Sequence, residues 1–263
     1  MNIDGSVAVV TGAGSGIGRA IAAALASSGA AVVVGDIDAD SATETATMIG
    51  GIAVVADAAT PDGIAALLDT ARRNFGPVDI YVANAGIVGQ PGLGDDEAAW
   101  DRIIDINLRA HIRAAKALVP EWLERGNGYF VAVASAAGLL TQLGAAPYSV
   151  SNHCSVVFAE WLSITYGDSG IGVSCVCPMG VDTPLLRGMT HAADSAARVA
   201  GAAVTSAGAV IDADTVAALV VQAIVDGTFL VLPHPEVLAM YRQKGTDYQR
   251  WIAGMRRYQR SLG

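Results

Sequence analysis

Val7-Ala8-Val9-Val10-Thr11-Gly12-Ala13-Gly14-Ser15-Gly16-Ile17-Gly18 is the stretch that decides the fold. A β-branched run breaks into glycines, and Ile17 to Ser28 then carries a helical period that ends near Gly29. A strand that runs into a helix through glycines presents backbone N–H groups at the helix N-terminus, where they and the helix dipole suit a pyrophosphate. Gly12, Gly16 and Gly18 give the spacing G-x-x-x-G-x-G, with Ser15 and Ile17 inside the turn. A tight turn without a ligand would need the same glycines, but Asp36 argues against it. Asp36 closes the second strand, 18 residues after Gly18. A carboxylate there accepts hydrogen bonds from adenosine ribose hydroxyls and repels a 2′-phosphate. Residues 36–40 hold no Arg to reverse that preference, so the expected cofactor is NAD rather than NADP.

Outward from this turn the chain alternates between two periods. Strands are expected at 32–34, 52–56, 79–83, 129–134, 172–177 and 229–232, and helices at 41–49, 61–75, 97–125, 147–166 and 214–226. Strand and helix alternate about six times without a composition break, which implies parallel strands with crossover helices. The expected architecture is α/β: one Rossmann-type doubly wound parallel sheet, a single domain over 1–263 with a C-terminal helical extension. In such a sheet the strand C-terminal ends line up, and ligands bind along that edge at the switch point.

Composition narrows the functional classes. The chain has 263 residues, with 52% hydrophobic and only 16% charged, against a usual charged share of roughly 25%. It is not a disordered chain. A net charge of −9 with no basic run argues against nucleic-acid binding. The uncharged stretches at 20–35 and 126–159 are broken by Ser, Gly, Asn and Pro, so neither reads as a membrane span. The first residues lack a basic segment followed by an apolar core, and the expected location is cytoplasmic. Cys154, Cys175 and Cys177 are too few and odd for a disulfide framework. Cys175 and Cys177, two apart in an apolar run, read as small core residues, and no metal site is expected.

Further motifs follow in order. Asp57 follows the third strand, Ala83-Asn84-Ala85-Gly86 the fourth, and Asn107 lies within the long helix. Ser135 precedes Tyr148 by 13 residues, and Pro178-Met179-Gly180-Val181-Asp182-Thr183-Pro184 follows the sixth strand. With the glycine turn, these motifs make residues 4–232 resemble the short-chain dehydrogenase/reductase family. The resemblance implies a nicotinamide cofactor, with Asp57 and Ala58 at the adenine and Asn84-Ala85-Gly86 as the adenosine-side floor. It puts Val181 and Thr183 at the carboxamide and phosphate, with Pro178 beside them. It makes Tyr148 the general acid/base and Ser135 the group that orients the substrate oxygen, while Asn107 anchors a proton-relay water. The physics agrees: a strand end and a helix start share the active edge, and a phenol can protonate the alkoxide left by hydride transfer to a ketone.

Three positions depart from the family pattern. Asn152 stands where Tyr-x-x-x-Lys has its lysine, Met179 replaces the Gly of Pro-Gly, and Ala83 replaces the first Asn of Asn-Asn-Ala-Gly. The lysine position lies at i+4, on the tyrosine's face of the helix, and in the family it also touches the cofactor ribose. His153 is turned about 100° further round and reads as a helix-surface or interface histidine.

The substrate side is apolar. Ile87, Val88, Leu93, Leu139, Leu140, Leu143, Met179, Leu185, Leu186 and Met189 fall on loops leaving the strand ends or in the core. The expected substrate is a small apolar secondary alcohol or ketone. Residues 184–210 resemble a substrate lid. In the tail, 233–263, a helix would align Tyr248, Trp251, Ile252, Met255 and Tyr258, either on its own domain or in a subunit contact. The resemblance favours a homo-oligomer, dimer or tetramer. Two functional classes stay open: an NAD-dependent alcohol dehydrogenase or ketone reductase, slowed by Asn152, and a non-catalytic NAD(H)-binding sensor or inactive subunit. An epimerase or dehydratase on the same fold is a third.

Overall fold

Each expected strand forms: β1 (Val7–Thr11), β2 (Ala31–Asp36), β3 (Ile52–Val55), β4 (Ile80–Ala83), β5 (Gly128–Val133), β6 (Ile171–Val176) and β7 (Leu230–Val231). In this computed structural model, which describes residues 1–94, 96–191 and 194–262, all pair in parallel in the order β3-β2-β1-β4-β5-β6-β7. The chain runs outward from β1 to β3, then returns to place β4 on the other side of β1. The crevice outside the ends of β1 and β4 is therefore the switch point, where doubly wound sheets bind ligands.

The connecting helices are α1 (Gly16–Ser27), α2 (Ala39–Ile49), α3 (Pro61–Asn74), α4 (Glu97–Ile104), α5 (Ala110–Arg125), α6 (Ala137–Leu140), α7 (Ala146–Tyr166), α8 (Pro184–Thr190), α9 (Ser195–Ala207) and α10 (Ala213–Asp226). Beyond the sheet come α11 (Glu236–Thr246) and α12 (Tyr248–Leu262). The two-residue period of β1 sorts its side chains between two cores. Val7 and Val9 pack with Leu67, Leu118 and Trp122 under α3 and α5. Ala8 and Val10 pack with Ile21, Leu25 and Val220 under α1 and α10. Cys175 and Cys177 are buried in the first core with free thiols. Helix starts are set by caps: Asp38, Thr60, Asp96, Thr183 and Asp212 each accept from a backbone N–H three residues on.

The helix expected over 97–125 is two helices joined by a π-helical turn, Asp105–Arg109. Its cause is visible at Asn107. The side-chain Oδ1 accepts from the Ile87 N–H at 2.9 Å, and Nδ2 donates to Ile87 O at 2.9 Å and Ser151 Oγ at 3.1 Å. That clamp draws the residue out of regular α-helical register. The tail is also two helices rather than one. Asp247 is extended, and its carboxylate accepts from the Arg250 N–H at 2.9 Å, which starts α12 afresh. The lid span 184–210 forms α8 and α9. Ala192 and Ala193 within it, and Gly263 at the end of the tail, lie outside the described residues. Among the described residues, no helix is long and apolar enough to cross a membrane.

Candidate active site

The glycine turn is shaped by backbone contacts as well as by its own conformation. Gly12 has φ +62°, and a Cβ there would stand 2.9 Å from Ala85 Cα. At Gly18 a Cβ would stand 2.2 Å from Gly12 O. Asn84 ties the two strand ends together, with Nδ2 donating to Thr11 O at 2.9 Å and Gly12 O at 3.1 Å. The Asp36 carboxylate reaches back to the same turn, accepting from the N–H of Gly14 at 2.8 Å and of Asp38 at 3.1 Å. The result is a glycine turn at the cavity wall with the Asp36 carboxylate beside it. These residues fit a dinucleotide with free ribose hydroxyls: the turn packs too closely on Ala85 and on itself for side chains at Gly12 and Gly18, Gly12 and Gly16 line the cavity, and the carboxylate is already oriented.

Ser135 lies two residues beyond β5, and its Oγ accepts from the Ala137 N–H at 3.1 Å, which fixes the hydroxyl at the start of α6. Tyr148 enters from the first turn of α7 and lines the same cavity as Ser135. Removal from water pushes the Tyr148 pKa above its ordinary 10, and the nearby polar groups of Ser135 and Asn152 offset this only in part. Asn152, 4% exposed, donates Nδ2 to Tyr148 O at 2.9 Å. Among the described residues, no ammonium hydrogen-bonds to Asn152 or to the Tyr148 carbonyl, and the Lys244 ammonium meets α7 at His153 instead. The amide of Asn107 is committed to Ile87 and Ser151, and its backbone carbonyl accepts from Ser155 Oγ at 2.5 Å. Asn107 thus braces the loop after β4 and the middle of α7 at once.

A single cavity of about 700 Å³ runs along the strand ends. Gly12, Ser15, Gly16, Ile17, Asp36, Asp57, Ala58, Asn84, Ala85, Gly86, Asn107, Ser135, Tyr148, Asn152, Pro178, Val181 and Thr183 all line it. Gly18 does not. It packs behind the turn against Gly12 O and the Asn84 amide, where only hydrogen fits, so its part is helix–strand packing rather than contact with the cavity. On the substrate side Ile87, Leu140, Leu143, Met179, Leu185, Leu186 and Met189 line the cavity. Leu139 is instead in the core, Leu93 is 79% exposed, and Val88 lies outside the cavity wall.

Two features escape the sequence. Met240, Gln243, Trp251, Met255 and Tyr258 of the tail form part of the cavity wall, so the tail packs on its own domain. The apolar spacing in α12 was the signal, but spacing alone does not name the surface it covers. The second feature is Lys244, 7% exposed, which donates Nζ to Leu139 O at 2.6 Å. His153, expected at a surface or interface, is its neighbour. Nδ1 of His153 faces the Ser149 carbonyl at 2.9 Å and must carry the proton, which leaves Nε2 free to accept from Lys244 Nζ at 3.4 Å. Burial and the nearby ammonium lower the His153 pKa, so the ring stays neutral.

Comparisons with known proteins agree with this geometry. The family model described as short chain dehydrogenase matches residues 6–194. The chain is 33% identical to 1-deoxy-11-beta-hydroxypentalenate dehydrogenase of Streptomyces exfoliatus, over 96% of this chain and 92% of the relative. It is 39% identical to cis-4-hydroxycyclohexanecarboxylate dehydrogenase of Sinomonas cyclohexanicum, over 70% of this chain and 76% of the relative. A short chain dehydrogenase/reductase from Burkholderia phymatum, solved in complex with NAD, superposes with a TM-score of 0.85 at 29% identity, over 95% of this chain and 96% of the other. The chain belongs to the short-chain dehydrogenase/reductase family.

Proposed function

We propose that this chain is an NAD(H)-dependent oxidoreductase acting on an apolar alicyclic secondary alcohol or its ketone, with Tyr148 as general acid/base. One observation carries the reading: the Tyr148 and Ser135 side chains line one cavity together with the glycine turn and Asp36. The two curated relatives support the alicyclic class, since both are named for hydroxylated ring acids.

Gly12, Ser15, Gly16, Ile17 and Asp36 would hold the adenosine diphosphate half, with Asp57, Ala58, Asn84, Ala85 and Gly86 around it. Pro178, Val181 and Thr183 would face the nicotinamide half. Bound there, NAD(H) supplies the hydride acceptor or donor. Ser135 donates a hydrogen bond to the substrate oxygen, and Tyr148 takes its proton in oxidation or gives one in reduction. With a raised pKa, Tyr148 is a phenol at neutral pH, ready as an acid and scarce as a base. Asn152 can hydrogen-bond but brings no charge. A unit charge about 5 Å away at an effective dielectric of about 20 is worth roughly 3 kcal/mol, or about two pKa units on the phenol. Asn152 therefore leaves Tyr148 in its acid form at neutral pH.

The test is NADH formation at 340 nm with a panel of alicyclic secondary alcohols from pH 6 to 10, alongside NADH titration. Asn152 favours one other reading, a chain that binds NAD(H) without catalysis. Tight NADH binding with no turnover in either direction would establish that reading instead. The proposal includes a cytoplasmic location, supported by three free cysteines. It also includes a homo-oligomer, supported by Val157, Trp161 and Ile164, 61%, 52% and 78% exposed on the outer face of α7. Solution mass by light scattering tests the oligomer.

A further inference from the structure

His234 and Met179 meet beyond the last strand pair. Val176 of β6 lies in register with Val231 of β7, and the two chains run on in step, so Met179 stands opposite His234 three residues later. His234 is 2% exposed and sits between Pro233 and Pro235, whose rings fix the backbone on either side. Both ring nitrogens are committed. Nδ1 accepts from the Met179 N–H at 3.1 Å, so it carries no proton. Nε2 holds the proton and faces two carbonyls, Gly180 O at 3.2 Å and Ala209 O at 3.1 Å.

These partners belong to two segments of one site. Met179 and Gly180 lie in the loop after β6, whose Pro178, Met179, Val181 and Thr183 line the cavity. The lid span leaves that loop at Pro184, through α8 and α9, and returns at Gly208 and Ala209. Outgoing and returning chains are stitched together: the Ile211 N–H donates to Gly180 O at 3.0 Å, and the Asp182 N–H to Ile211 O at 2.9 Å. Gly180 O therefore accepts twice, from Ile211 and from His234. Met179, which stands where the family has the Gly of Pro-Gly, reaches the same junction. A Cβ at Gly208 would stand 2.5 Å from its Cε, so the returning chain has room only for glycine there. Both ends of the lid thus close on a junction with the His234 ring inside it.

We propose that His234 is a positioning residue for the nicotinamide half of the cofactor: its imidazole sets the path of Met179–Val181 and, through Ala209 O, closes the neck of the lid. This rests on the assignment of Pro178, Val181 and Thr183 to that half, and deepens it by naming what holds them. His234 is not among the residues that line the cavity, so it acts through the backbone it binds. Without the ring, the Met179 N–H loses its acceptor, and Gly180 O and Ala209 O lose a shared donor. Backbone groups left unpaired are costly, and the loop would shift to find other partners. The adenosine half, held by β1, β2 and the glycine turn, lies on strands that His234 does not touch.

The experiment is calorimetric titration of NADH and of ADP-ribose, which lacks the nicotinamide, into the unmodified chain and into His234→Leu, His234→Asn and His234→Gln. The Asn amide oxygen falls near the place of Nδ1 and can accept from Met179, whereas the Gln amide falls nearer Nε2. His234→Leu should weaken NADH by about 10- to 100-fold, the scale of an unpaired backbone donor, and ADP-ribose by less than about 3-fold. His234→Asn should recover most of the NADH affinity and His234→Gln less of it. Equal weakening of both ligands in His234→Leu, or unchanged NADH affinity, overturns the positioning role and leaves the cofactor reading intact. If His234→Leu binds neither ligand because it does not fold, the other two variants decide: an NADH to ADP-ribose affinity ratio kept in His234→Asn and lowered in His234→Gln supports the role, and equal ratios overturn it. An unmodified chain that binds NADH no more tightly than ADP-ribose overturns the placement of the nicotinamide half, and this role with it.

Discussion

The Asn152 side-chain amide donates to the main-chain carbonyl of Tyr148, 2.9 Å away and one helical turn back. The residue that would be a cation in the family pattern is thus a neutral brace on the backbone of the candidate acid/base. The Asn152→Lys variant should raise alcohol oxidation at pH 7 by about one to two orders of magnitude, since about two pKa units of phenol acidity return with the charge. Steady-state rates with NAD and a ring alcohol decide it. An unchanged rate in a variant that binds NADH normally would mean that Tyr148 is not the working base.

The unmodified enzyme should show a directional pH profile. The Tyr148 pKa lies above 10, so the deprotonated fraction grows about tenfold for each pH unit below that value. Oxidation should climb about 100-fold from pH 7 to pH 9, while reduction, which uses the abundant phenol, stays nearly level over the same range. Tyr148→Phe should abolish both. A bell centred near pH 7 for oxidation would assign the base elsewhere.

Asp36 sets cofactor choice. Asp36→Ala removes a carboxylate that would repel a 2′-phosphate, so the NADH preference over NADPH should narrow by about 10-fold or more. Calorimetric titration of both cofactors into both proteins measures the ratio. Tighter NADPH than NADH in the unmodified chain would contradict the assignment.

His111 makes stability depend on acid. It is 2% exposed, its Nδ1 has no hydrogen-bond partner in the structure, and burial lowers its pKa from 6.5 to about 4. A depressed histidine pKa means that the unfolded chain binds the proton first. The contribution is therefore complete above pH 6.5 and is lost as pH falls toward 4. Between pH 7 and pH 5 the loss should be about 2 kcal/mol. Urea denaturation at the two pH values, for the unmodified chain and His111→Leu, isolates it. The variant's stability should fall by correspondingly less, and equal losses in both proteins would remove His111 as the cause.

Much of this molecule was legible in its sequence because motif and strand end coincide. Thr11–Gly18, Asp36, Asp57, Asn84 and Ser135 each follow a β-rich run, and parallel crossovers bring all those ends to one edge. What the sequence left dark depends on contacts between distant segments. Asn107 reads as one residue in a long helix, and its bonds to Ile87 and Ser151 at the π turn join segments far apart in the chain. Lys244 is a lone lysine in an acidic chain until α11 presses it onto Leu139. The stripe of Trp251, Met255 and Tyr258 announces an apolar face with no address. At Gly18 the motif reading leaves out a packing fact that only the fold reveals: a Cβ there would meet Gly12 O.

The placement of that tail after the last strand has an evolutionary side. Residues that carry the hydride chemistry are locked into the sheet, where a changed side chain disturbs pairing or core. α11 and α12 lie beyond it, held by Lys244, by Tyr258 and by the core packing of Val237 and Trp251. Substitutions along their cavity-facing side change the wall without touching a strand of the sheet. Selection for a new molecule can act on the chain's last thirty residues while the older chemistry is inherited unchanged.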